Sequence, residues 1–157
     1  MLNSQISFPS CKSIWQPYIP PSHFTLLWCL WYNRLPIEDN LCKMGFHIAS
    51  CCCLCGSSSE NATHLFLECS FVAALWKVVF DVFKHSMHPF LVCKSFFLAA
   101  FYLNFISQTG PVWIAAIHAV IWTVWKTRNN IIFYNQDASY KTSLIFIWWA
   151  IKEANMC

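Results

Sequence analysis

No charged side chain occurs between Ser95 and Trp125. A run of that length without charge must be hidden from water, either inside a bilayer or inside the protein. Its interruptions favour the second. "FFLAAFYLNFI" is 11 residues long, contains Asn104, and runs into "SQTGP", where Gly110-Pro111 is a strong breaker. "VWIAAIHAVIWTVW" follows with 14 residues and His118 inside it. Neither piece reaches the roughly 18–20 apolar residues that one membrane span needs. The pattern predicts two buried helices meeting at Gly110-Pro111. Two alternatives keep the same residues 95–125 exposed: a small membrane-associated helical protein, and a protein-interaction module.

Helical signals cover the rest of the chain, so the fold class read from sequence is mainly α. "PPSHFTLLWCLWYNRL" opens on prolines with Ser22 as a cap, and apolar residues continue to Tyr32. "PIEDNLCKMGF" reads as a short helix, with Glu38 and Asp39 in its first turn and Gly45 at its end. "SFVAALWKVVFDVFKHSMH" is a third, capped by Ser70, with Lys77, Asp81, Lys84 and His85 forming one wet stripe. "SFFLAAFYLNFI", "PVWIAAIHAVIWTVWKTRNNIIF" and "SYKTSLIFIWWAIKEA" supply three more. The expected organisation is a small domain over residues 15–80 and a hydrophobic helical tail over residues 90–157.

Composition bears on partners. Apolar residues make up 57% and charged residues 11%, against roughly 45–50% and 25% in ordinary domains. Nine Trp and fourteen Phe are more aromatic surface than one small core readily hides, so the chain reads as a piece of something larger. The net charge is +3, with ten Lys and Arg scattered from Lys12 to Lys152. The concentrated positive patch of a strong nucleic-acid binder is missing. "MLNSQISFPSCKSIW" has no basic region followed by an apolar core, so no secretory signal is read. An intracellular reducing compartment, nucleus or cytoplasm, is expected. There, cysteines bind metal or lie buried more often than they pair. "NAT" at Asn61 to Thr63 matches a glycosylation acceptor by chance under that reading.

Five of the ten cysteines fall within "CCCLCGSSSENATHLFLECSFVAALW", residues 51–76. Cys52, Cys55, His64 and Cys69 are spaced C-x2-C, eight residues, H-x4-C. A C-x2-C pair lets one tight turn present two thiolates to a single ion, and Gly56 directly follows. Three cysteines and one histidine are a standard tetrahedral set for structural zinc. On one α-helix, His64 and Cys69 would point about 140° apart, because each residue advances about 100°. If both bind one ion, the helix must break between them. The other reading is that these are buried cysteines packing as small hydrophobes. Cys51 and Cys53 are extras that no four-ligand site requires, and either could stand in for a neighbour.

The flanking residues resemble the zinc-binding domain downstream of the reverse transcriptase in plant non-LTR (LINE-type) retrotransposons. The resemblance rests on Trp15, Pro20, Phe24, Leu27, Trp28, Arg34, Leu35, Pro36, Leu41 and Gly45, then Cys52, Leu54, Cys55 and Gly56, then His64, Leu65, Phe66, Cys69 and Trp76. It covers residues 15–76. "IWTVWKTRNNIIF", residues 121–133, resembles the segment that follows this domain before the ribonuclease H module of the same polyproteins. Four positions depart from the family pattern: Cys53 and Ser70 replace Pro, Ile37 replaces a capping Thr, and Ser22 replaces Lys.

The resemblance implies a Cys3His zinc knuckle between helices, with Zn2+ bound by Cys52, Cys55, His64 and Cys69. It also implies a structural remnant of a retroelement polyprotein that contacts nucleic acid or other polyprotein segments. Arg34, Lys43, Lys77, Lys126 and Arg128 are the candidate contacts, weighed against a reading as solvated surface charges. Trp122 and Trp125 read as core rather than base-stacking platforms. No catalysis is expected. Phosphoryl transfer needs carboxylates converging on two metal ions, and three Asp and four Glu without an Asp-Asp pair do not supply them. No Ser elbow or Gly-rich phosphate loop occurs.

Overall fold

A computed structural model describes residues 17, 19–48, 51–85, 93–106 and 110–154, with the backbone alone for 101–106. The described residues form helices and turns without a strand: α1 (Pro21–Trp31), α2 (Glu38–Lys43), a π-helical turn (His64–Glu68), α3 (Ser70–Phe83), α4 (Cys93–Ile106), α5 (Gly110–Tyr134) and α6 (Tyr140–Ala154). The mainly helical fold expected from sequence is the observed one. Trp15 and the end of the expected third helix, residues 86–88, lie outside the described residues.

Helix starts differ from expectation in an instructive way. Ser22 does not cap α1; Pro20 holds the cap position and Pro21 follows at the first helical residue, where a missing N–H costs nothing. Ser70 is likewise the first residue of α3, and Cys69 takes the cap position with extended ψ 128°. Ile37 precedes α2 and has no side chain to cap it. The missing acceptors come from far away in sequence: the Glu38 N–H donates to Glu60 Oε1 at 3.3 Å and the Asp39 N–H to the Glu60 carbonyl at 3.3 Å. Gly45, at φ +91°, takes the left-handed turn that ends this segment.

Gly110 and Pro111 open α5 rather than break a longer rod, as the sequence predicts. The flanking apolar residues are buried: Phe96, Phe97 and Ala100 on α4, and Trp113, Ile114, Ile117, Val120 and Val124 on α5. They meet α1 through Leu27, Leu30 and Trp31 and α3 through Leu75, Trp76, Val79 and Phe80, in one continuous core. Tilted aromatic pairs tie it together, including Trp76 with Phe96 at 4.8 Å and Phe80 with Trp113 at 5.4 Å between ring centres. The buried Trp113 indole N–H donates to the Ala100 carbonyl at 2.8 Å. The two segments separated in sequence as domain and tail therefore share their interior.

Within 95–125, the described apolar residues of 96–100 and 112–125 are buried or half-buried. No helix among the described residues is long and apolar enough to cross a membrane. Exposed aromatic surface is spread over Trp28 and Tyr32 at the end of α1, Phe46 after α2, Phe133 and Tyr134 at the end of α5, and the outer side of α6. Ser143, Ile147 and Ile151, each four residues apart, face inward, while Ile145, Phe146 and Trp149 are exposed on the outer side. Lys77 and Asp81 pair at 2.9 Å on the exposed face of α3, but His85, expected in the same wet stripe, lies past the helix end and is half-buried against Trp113 at 4.7 Å between ring centres.

Candidate metal centre

The turn after Cys52 is built to return the chain on itself. The Cys52 N–H donates to the Ser58 carbonyl at 2.7 Å, and the Gly56 N–H donates to the Cys52 carbonyl at 2.8 Å. Gly56 sits at φ +66°, a conformation that a residue with a Cβ adopts only under strain. This places the Cys52 and Cys55 thiols on the same side of the loop. Ser57 Oγ donates to Cys55 Sγ at 3.2 Å.

The second half of the cluster starts at Asn61, whose Oδ1 accepts the His64 N–H at 2.9 Å. That contact is an N-cap, and the Leu65 N–H to Asn61 carbonyl bond at 2.8 Å begins a helical turn. The turn then widens. The Cys69 N–H reaches back five residues to the His64 carbonyl at 2.8 Å, the hydrogen bond of a π-helix. The sequence-based expectation of a break between His64 and Cys69 is met differently: the turn loosens, and the helix ends at Cys69 itself, just before α3 begins. Trp76 on α3 donates its indole N–H to the Phe66 carbonyl at 2.7 Å, which satisfies a backbone group inside the turn.

These two halves bring Cys52, Cys55, His64 and Cys69 together, with their four ligand atoms all within 4.8 Å of one another. Cys52 Sγ and Cys69 Sγ are 3.9 Å apart, and Cys55 Sγ and His64 Nε2 are 3.3 Å apart. A tetrahedral zinc with Zn–S of about 2.3 Å and Zn–N of about 2.05 Å requires S···S near 3.8 Å and S···N near 3.6 Å. The donor set and its spacing fit that ion. The Cys52–Cys69 separation is far beyond the roughly 2.05 Å of a disulfide. Cys51, exposed, and Cys53, half-buried, stand outside the group, so neither extra cysteine is positioned as a replacement ligand.

Electrostatics agree with an anion-tolerant pocket on one side. The Cys69 thiol is held below its usual range, chiefly by the hydrogen bond from Cys52, helped by the Val72 and Phe71 N–H groups at the start of α3. The Cys52 thiol is pushed up by donating that same hydrogen bond and by burial. A bound metal would replace that hydrogen bond, because cysteines ligate as thiolates. Burial pushes the Cys53 thiol up to about 11 and the Cys93 thiol up to about 12. Cys93, at the start of α4, donates to the Ala62 carbonyl at 3.3 Å and so braces the turn that carries His64.

The five basic residues singled out from sequence do not converge. Lys43 pairs with Asp39 at 2.6 Å and Lys77 with Asp81 at 2.9 Å, both exposed neighbours one helical turn apart. Arg34 lies 6.0 Å from the Trp28 ring centre and Lys126 lies 5.3 Å from that of Phe146. Arg128 is not a surface charge. It is 5% exposed and forks onto Glu60, with Nη2–Oε1 at 2.6 Å and Nε–Oε2 at 3.3 Å. The physical reason is Glu60 itself, 3% exposed, since a carboxylate that deep requires a counter-charge. Sequence reading missed Glu60 because its partner is far along the chain. Trp122 stacks on His23 at 4.6 Å and Trp125 lies under Arg128 at 5.3 Å, so both are committed internally.

Residues 1–76 match the family model described as zinc-binding in reverse transcriptase. That segment contains all four clustered ligand residues. No curated protein and no solved structure matches the chain.

Proposed function

We propose that the chain is a structural, non-catalytic zinc module from the polyprotein of a plant LINE-type retroelement. Its metal would be held by Cys52, Cys55 and Cys69 as thiolates and by His64 as neutral imidazole. The observation that carries this reading is the convergence of those four ligand atoms within 4.8 Å, inside the residues that match the zinc-binding family. Zinc bound there would lock the Gly56 turn to the start of α3. Such sites contribute about 10–16 kcal/mol in isolated finger peptides, so the metal would supply much of the local stability.

The same reading assigns the module a supporting role in holding nucleic acid or neighbouring polyprotein segments. Of the five candidate cations, Arg34, Lys43, Lys77 and Lys126 are exposed, and their dispersion suits weak phosphate contact rather than sequence readout. Elemental analysis of the reduced, purified chain tests the core of the reading. One zinc per chain, lost from a Cys52→Ser/Cys55→Ser double variant, supports it; a folded wild-type chain without zinc overturns it. A steep fall of oligonucleotide affinity with salt would support the nucleic-acid role.

A further inference from the structure

Glu60 sits in the loop between the two halves of the metal cluster, four residues before His64 and five after Cys55. Two distant parts of the chain, the start of α2 and Arg128 on α5, converge on it. Its Oε1 accepts the Glu38 N–H of α2, its carbonyl accepts the Asp39 N–H, and its two carboxylate oxygens receive the Arg128 fork. Both charges are almost wholly buried. Arg128 is further fixed by the Trp125 face beneath it and by donating Nη1 to Asn129 Oδ1 at 3.2 Å. The next residue after Glu60, Asn61, caps the turn that presents His64.

From this arrangement we infer that Arg128 is a positioning residue of the metal centre, so the functional zinc module extends beyond the matched residues 1–76 to include α5. The inference rests on the zinc reading above. A loop carrying metal ligands is free to sample many conformations unless its path is fixed, and the loop from Gly56 to Asn61 has no helix or strand of its own. Glu60 is its anchor, and Arg128 is what allows Glu60 to be buried. Without the guanidinium, an uncompensated carboxylate would leave the interior and take the entrance to the His64 turn with it. The link also runs the other way: a ligand loop ordered by zinc places Glu60 against Arg128, so metal binding and this buried ion pair stabilise each other.

The test is zinc affinity of the full chain by competition with a chromophoric chelator, with helicity followed by circular dichroism. The variants are Arg128→Lys, Arg128→Met, Glu60→Gln and the Glu60→Gln/Arg128→Met pair, with Val124→Ala as a control. Val124 is fully buried on the same helix one turn earlier and belongs to the hydrophobic core. Arg128→Met should weaken zinc about 10–100-fold, the usual range for residues that orient metal ligands. Arg128→Lys, which keeps the charge and loses the fork, should lie between it and wild type. The double variant should be no weaker than the worse single one, because both remove one link. Val124→Ala should lower thermal stability yet leave zinc affinity within about twofold, within the range expected for independent sites. Should Arg128→Met fail to fold, Arg128→Lys decides alone. Wild-type affinity in Arg128→Met, or in Arg128→Lys where Arg128→Met does not fold, overturns the inference while leaving the zinc reading intact. A wild-type chain that binds no zinc overturns both.

Discussion

The Cys69 N–H reaches the carbonyl of His64 at 2.8 Å, five residues back. In an α-helix the partner would be four residues back, and the two side chains would diverge by about 140°. The wider turn and the extended ψ of Cys69 bring them into one cluster instead. Cys69 also ends that turn and caps α3, so a ligand, a helix end and a helix start coincide in one residue. A π-helical turn is strained relative to α and persists where tertiary contacts or function hold it.

Cysteine substitutions should separate ligands from bystanders. Cys69→Ser is expected to lose tight zinc binding, because serine offers no thiolate. Cys51→Ser and Cys53→Ser are expected to keep one zinc per chain, since both lie outside the cluster. Metal content after gel filtration with a competing chelator reads the outcome. A Cys53→Ser chain without zinc would contradict the ligand assignment.

Asn61 gives a subtler case. Its side chain caps the turn bearing His64, so Asn61→Ala should cost about 1 kcal/mol of stability, the usual loss for an N-cap. Asn61→Asp should restore most of it, because a carboxylate caps equally well. Denaturant midpoints of the three zinc-loaded chains check this ordering; equal midpoints for Asn61→Ala and wild type would show that the cap contributes nothing.

The cluster was legible in the sequence because metal ligation leaves a spacing signature, and C-x2-C followed by H-x4-C survives any choice of fold. The buried helices were legible for a similar reason: an uncharged run broken by Gly110-Pro111 has few other uses. What local reading could not reach was long-range satisfaction. Ile37 shows no cap in its own neighbourhood, and the acceptor arrives from Glu60. Arg128 looks like a surface cation in "WKTRNN", yet its environment is set by a carboxylate far upstream. The packing of both stretches into one interior was out of reach for the same reason. Periodicity tells which face of a helix is apolar, not which other helix will cover it.

Acid should weaken the fold through His118. Burial, with His23 nearby, holds its pKa down at about 3, and burial holds His23 at about 4. An unfolded histidine binds its proton near pH 6.5. Below that pH the unfolded chain therefore takes up protons that the folded chain refuses, and stability is lost as pH falls. The contribution is complete above pH 6.5 and drains away towards the folded values. For His118 the loss between pH 6.5 and 5 is about 1.5 kcal/mol. Urea unfolding of wild type and His118→Leu across that window measures the difference. His118→Leu should have the flatter pH dependence, and identical slopes would remove His118 from the account.

Trp76 makes two contributions that one substitution can divide. Its indole N–H satisfies the Phe66 carbonyl at 2.7 Å, and its ring packs against Phe80 and Phe96. Trp76→Phe keeps an aromatic ring but leaves that carbonyl unpaired inside the π-helical turn. An unsatisfied buried backbone group costs about 1–3 kcal/mol, and the smaller ring adds a cavity cost of similar order. Phe96→Leu supplies the comparison, since it loosens the same cluster without touching the hydrogen bond. If the indole supports the turn, Trp76→Phe should speed amide exchange at Cys69 more than Phe96→Leu does at equal loss of global stability. Equal exchange at Cys69 in the two variants would mean that Trp76 acts through packing alone.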